Sequence, residues 1–219
     1  MGEDMVSQKD INDWIFNFVY LEAMEDATKR TRVASKKVDY LKDKKAKKIV
    51  KDYIQEVILG KNPQVIPTAN KVVSALNSEE TNNKIFTFGN AQKLINIAAK
   101  HYYLLVCRDV ELRNNFKCCD CPMDRTMIEK AISRYKVFLS INKINKKDDA
   151  YINITWPDKE TGERKRTIDW SVVSWSLLNC EEDIDIYRKF QAIVTFLSAK
   201  IDMYPIEYDY KYFGIEKPE

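Results

Sequence analysis

Phe86 to Ala131 reads FTFGNAQKLINIAAKHYYLLVCRDVELRNNFKCCDCPMDRTMIEKA, and its reading decides the fold. It holds the only histidine, His101, and four of the five cysteines. Ala91, Leu94, Ile95, Ala98, Tyr102, Leu105 and Val106 recur at three-and-four spacing, which predicts a helix over about 90–113 with one apolar face. No acid occurs from Ala91 to Val106, so this helix is expected at the centre of the fold. Thr87 or Asn90 is suited to cap it, and Gly89 removes a side chain where the backbone enters.

Working outward, apolar stripes at helical spacing continue on both sides. Ile11, Trp14, Ile15, Phe18, Val19 and Ala23 predict a first helix over about 7–29, capped by Ser7 or Asp10. Tyr20 lies off that stripe and Leu21 at its edge, which gives the helix a second side for contact. Val38 to Ile58 carries a further stripe that ends at Gly60, where a left-handed C-cap costs least. Pro67 begins a short helix to about Leu76, and 78–84 is a polar connector with a soft boundary at 78–85. Cys121 and Pro122 suggest the start of a helix running to about 135–139, with Asp124 at its positive end. Beyond it, alternation over 151–156, turn chemistry over 157–163 and a second run over 164–170 predict a hairpin. A helix over about 169–178 and a long one over about 182–203 follow, and the aromatic tail 204–219 reads as extended. The expectation is a mainly α, single-domain bundle of about six helices over 1–219, with a small β-hairpin near 150–168.

Composition narrows the function classes. Only five Gly and six Pro in 219 residues disfavour a turn-rich all-β fold. No stretch approaches the roughly 20 apolar residues of a membrane span, and the polar start MGEDMVSQKD does not read as a secretory signal. A cytoplasmic protein with reduced thiols is expected, without a membrane partner. No Gly-rich loop has P-loop or Rossmann spacing, and no cofactor is expected.

The charge is unevenly distributed. Lys29 to Lys51 holds eleven Lys and Arg against two Asp, a net +9 in a chain whose total is +3, so the remainder is acidic. Such asymmetry makes a directional field. Lys36, Lys37, Lys44, Lys45, Lys47, Lys48 and Lys51 are therefore candidate contacts for DNA or RNA phosphates. Lysine dominance without interleaved aromatics points away from base readout. The alternative for the same run is a solvated face.

Gln92, Asn96 and Lys100 share one line of the central helix, with Lys93 and His101 beside it. Buried amides need partners, so these side chains either tie neighbouring loops or floor a pocket that Asp124 and Arg125 would join. Catalysis in that pocket would fall to His101 and Cys121, the latter as a thiol activated at a helix start. For metal, Cys118 and Cys121 have C-x-x-C spacing with Cys119 between them. The second pair, His101 and Cys107, diverges on one helix, so no metal is expected.

Phe88, Gly89, Ala91, Gln92, Lys93, Asn96 and Lys100, followed by Cys121, Pro122 and Asp124, form the pattern F-G-x-A-Q-K-x-x-N-x-x-x-K … C-P-x-D. It resembles a family of uncharacterised bacterial proteins over about 40 residues. The resemblance implies a bacterial origin and a shared core, and no chemistry. In size, helicity and charge the chain is also similar to helical ribonucleases of the HEPN type. Their core Arg would fall at 95–97 ahead of His101, where this chain has Ile95, Asn96 and Ile97. The two functional expectations are a non-enzymatic polyanion binder, and a HEPN-like ribonuclease or other hydrolase around Gln92, Asn96, His101 and Cys121. The C-terminal tail is a further candidate for a protein contact.

Overall fold

The computed structural model describes residues 8–29, 31, 33–77, 85–158 and 161–212, with side-chain surroundings from residue 12 to 211 within these. Among them are nine α-helices and a single two-stranded hairpin, a mainly α fold. The helices are α1 (Gln8–Thr28), α2 (Lys37–Lys42), α3 (Lys44–Ile58), α4 (Val65–Leu76) and α5 (Phe88–Val106). After them come α6 (Val110–Asn115), α7 (Arg125–Ile141), α8 (Glu181–Ala199) and α9 (Pro205–Tyr212). Strands β1 (Ile154–Pro157) and β2 (Arg164–Thr167) pair antiparallel, with Ile154 opposite Thr167.

Helix α5 is the axle. Thirteen of its residues are buried, on every side of its first three turns, and α1, α3, α4 and α9 pack around it. Its start is fixed locally. The Thr87 side chain accepts from Asn90 N while the Asn90 side chain accepts from Thr87 N, a reciprocal cap that satisfies two free N–H groups. The helix ends at Val106, the last residue of its apolar stripe and short of the expected 113, because Asp109 accepts from Leu112 N and starts α6 as a separate turn.

Helix α1 is rotated relative to expectation: Val19 and Ala23 of the expected stripe are buried and Ile15 packs against the core, but Trp14 and Phe18 face outward. Phe16, Val19, Tyr20, Ala23, Met24 and Ala27 are buried, and Tyr20 is 0% exposed. Trp14 is 81%, Phe18 62% and Leu21 48% exposed. Both faces are apolar, so periodicity cannot choose between them. The Tyr20 side is the one covered, with Lys47 and Lys51 of α3 standing 5.7 Å from the Tyr20 ring and 5.9 Å from the Phe16 ring. Ser7 and the Ile11 and Asp10 side chains lie outside the described residues.

The basic segment is likewise not one helix. Asp43 is extended, accepts from Ala46 N at 2.6 Å and separates α2 from α3, which leaves Val38 exposed. Pro67 stands in the first turn of α4 rather than at its first residue, still where no helical acceptor awaits its missing N–H. Helix α7 is capped by Asp124, which accepts from Met127 N at 2.9 Å, so Cys121 and Pro122 precede the helix instead of opening it. Residues 169–178 form two 3₁₀ turns, Trp170–Val172 and Trp175–Leu177. Three serines and the β-branched pair Val172–Val173 give this stretch poor support for an α-helix. Pro205–Tyr212 of the tail forms α9, docked on the body, in place of the expected extended segment. The possible boundary at 78–85 falls almost wholly outside the described residues. Its flanks are tied, as the Asn77 side chain exchanges two 2.9 Å hydrogen bonds with the Phe86 backbone.

Candidate functional site

The lysines of the basic segment divide into engaged and open groups. Lys37 pairs with Glu25 and Lys51 with Asp13, both acids on α1. Lys36 ends a 3₁₀ turn and is half-buried with a partner. Lys47 lies over Tyr20, and Lys48 pairs along the helix with Asp52 at 2.7 Å while remaining exposed. Lys42, Lys44 and Lys45 are exposed, and among the described residues no carboxylate reaches any of the three. Lys44, Lys45 and Lys47 occupy the first turn of α3, at the positive end of its dipole, where each added cation is unfavourable by about 0.3–1 kcal/mol. The bend at Asp43 therefore places the exposed Lys42, Lys44 and Lys45 on either side of one turn, with Lys48, exposed but paired to Asp52, one helical turn further along α3.

The line Gln92–Asn96–Lys100 points into the core. Gln92 Nε2 donates to Met123 O at 2.9 Å, and Met123 N donates back to Gln92 Oε1 at 3.3 Å, so the side chain pairs with the backbone like a neighbouring strand. Asn96 Nδ2 donates to Gln92 Oε1 and to the Tyr187 hydroxyl, which donates to Asp120 Oδ2 at 2.7 Å. Lys100 is paired with Asp209 of α9. Lys93 sits 4.7 Å over the Trp175 ring and 3.8 Å from Asp124. Arg125 stays at the surface with Glu129. These contacts are internal ties.

His101 and Cys121 differ in burial, and among the described residues no hydrogen bond joins them. His101 is half-buried; burial and Lys100 hold its imidazole below its usual pKa, against the opposite pull of Asp26 and Glu22. Cys121 is fully buried, and burial followed by Asp209 and Asp124 pushes its thiol well up, away from the thiolate a nucleophile requires. Gln191 clamps the Cys121 backbone, accepting from its N–H at 3.1 Å and donating to its carbonyl at 2.7 Å. All five thiols are free. Cys118 is drawn down to about 7, first by a hydrogen bond with Cys119, whose own thiol is pushed up. Among the described residues no group of three or more His, Cys, Asp or Glu side chains is placed to hold a metal ion. None of the described helices is long and apolar enough to cross a membrane.

Several polar groups that organise this core escape sequence reading. Asp120, Tyr187 and Gln191 belong to the buried network, and Arg113, Glu207 and Asp209 hold α9 in place. Gln191 alone carries a signal, as an amide beside Phe190 on an apolar stripe. A separate cleft of about 600 Å³ opens between α1 and α3, lined by Asp13, Phe16, Lys51, Ile54, Leu59 and Tyr102 among others. Neither His101 nor Cys121 lines it. Comparison of the chain with protein families, curated proteins and solved structures returned no match.

Proposed function

We propose that this protein is a non-enzymatic polyanion binder that contacts nucleic-acid phosphates through the lysine corner at the α2–α3 turn. The observation that carries the reading is the exposure of Lys42, Lys44 and Lys45 at the α2–α3 turn, the last two at the positive end of α3, with the exposed Lys48 one turn further on. An anion bound there removes the mutual repulsion of the lysines and meets the helix dipole with the favourable sign. Lysine presents a point charge without bidentate geometry, so the contact positions a phosphate backbone and reads no base. A catalytic pocket at Gln92, Asn96, His101 and Cys121 has less support, because the amides are spent on internal ties and Cys121 is a neutral buried thiol.

Counterion release supplies the test. About four phosphate contacts give a log–log slope of affinity against salt of roughly −3 to −4 on duplex DNA. Substituting Lys42, Lys44, Lys45 and Lys48 with Gln should flatten that slope equally for unrelated sequences and leave the melting temperature unchanged or somewhat raised. The exposed Lys48–Asp52 pair contributes about 0–1 kcal/mol, and Lys44 and Lys45 no longer oppose the positive end of α3. Lys47 is spared because it covers Tyr20. Absence of salt-dependent binding to DNA or RNA at low ionic strength overturns the proposal. So does a nuclease activity lost in His101→Ala.

A further inference from the structure

Trp14, Phe18 and Leu21 form an exposed line on α1, diametrically opposite the face that packs on α5. Their spacing alternates four and three residues, the repeat by which one helix keeps a seam against another helix. At about 100° per residue, the line has two distinct flanks. On one flank lies Asp13, which holds Lys51, so the lysine-bearing helix α3 runs along that side with Lys47 at the level of Tyr20. On the other flank lie Glu22 and Asp26, the acids nearest His101. Glu25, paired with Lys37, closes the end of the line.

The α3 side carries Lys47 beyond the neutral Asp13–Lys51 pair, on a helix with five lysines against two acids. The other side carries Glu22 and Asp26, so the seam is complementary to itself in one orientation. A two-fold axis parallel to α1 brings the basic flank of each copy against the acidic flank of the other. A two-fold axis perpendicular to α1 brings lysines to lysines and acids to acids. The geometry points to a parallel homodimer made through the Trp14–Phe18–Leu21 seam of α1. Phosphate surfaces suit this line poorly, because Glu22 and Asp26 on its flank repel anions and Glu25 at its end already holds Lys37. Three side chains cover less than the roughly 800 Å² per partner of a stable interface, so the charged flanks must contribute and the dimer is salt-sensitive.

Sedimentation equilibrium on the full chain tests this, with circular dichroism confirming the fold of each variant. The wild type should show a dimer population that rises with concentration and falls with added salt. Trp14→Ser with Phe18→Ser should raise the dissociation constant at least ten-fold, with little change in melting temperature because both side chains are already exposed. Glu22→Lys with Asp26→Lys places lysine against lysine in the parallel arrangement and should also raise it at least ten-fold. In an antiparallel dimer the same reversal exchanges one like-charge contact for another and changes little, an outcome that overturns the parallel arrangement. A wild type monomeric at all concentrations overturns the dimer. A monomer whose Trp14 emission shifts on anionic vesicles or single-stranded DNA does so too, and gives the line to that partner.

Discussion

Gly89 enters α5 under the second 3₁₀ turn so closely that a Cβ there would stand 1.7 Å from the Trp175 carbonyl oxygen and 2.8 Å from its carbon. The obstacle is backbone, pinned by the hydrogen bonds from Gly89 N to Leu178 O and from Thr87 Oγ1 to Ser176 O. Relief requires moving the whole 175–178 turn. Gly89→Ala should therefore lower unfolding stability by about 3 kcal/mol, the upper part of the range for overpacking, as measured by urea denaturation. A change within 0.5 kcal/mol would mean that this turn yields freely. The sequence shows that the backbone needs room at Gly89, but not what approaches it. Trp175 lies 86 positions away, and no local pattern couples the two. The same limit acts at Trp14 and Tyr20. Two apolar faces on one helix give two equally good stripes, and only the neighbours α3 and α5 decide which is buried.

Helix α9 is held by buried charges as well as by Ile206 and Tyr208. Asp209 pairs with Lys100 in the core, 4.9 Å from which the Tyr210 ring lies over the ammonium. Glu207 accepts from Arg113 Nη2 at 2.7 Å, from Tyr103 and from Tyr204 N. Burial holds the Asp209 carboxyl above its usual range against the pull of Lys100. Removing one partner strands the other. Lys100→Met should cost about 3–5 kcal/mol, whereas Lys100→Met with Asp209→Leu should recover most of that loss. Urea denaturation of the four proteins in a cycle measures the coupling; additive single effects would show that the pair is not the tie. These acids also explain why α9 is illegible beforehand. Its buried face carries Glu207 and Asp209 beside Ile206 and Tyr208, so no apolar stripe emerges and the segment reads as an extended tail. Elements with conventional stripes and caps, α5, α7 and α8 above all, are legible to within a turn at their starts, because the signals that begin them are local.

For the whole molecule the measurable consequence of a polar core is the pH dependence of stability. Asp120 sits behind Tyr187 in the network that joins the 118–123 loop, α5 and α8. Desolvation lifts its pKa to about 6, only partly offset by the Tyr187 hydrogen bond. The unfolded value is near 4, so between about pH 4 and pH 6 the folded protein binds more protons than the unfolded chain. The sign follows. The contribution of Asp120 is present in full below pH 4 and is lost as pH rises through 6. Glu207 and Asp183 act oppositely: burial pushes their carboxyls up, but their several hydrogen-bond donors together outweigh it and hold them low, so their contribution is lost as pH falls. The net profile mixes these terms, and a single substitution separates them. Asp120→Asn keeps an acceptor for Tyr187 and does not titrate. Relative to the wild type it should gain about 2–3 kcal/mol on going from pH 4 to pH 7, at roughly 1.4 kcal/mol per unit of pKa difference. Urea denaturation of both proteins across that range reads the difference directly. Parallel profiles would show that Asp120 ionises in the folded protein as it does in the unfolded chain, and that the Tyr187 network tolerates a carboxylate without cost.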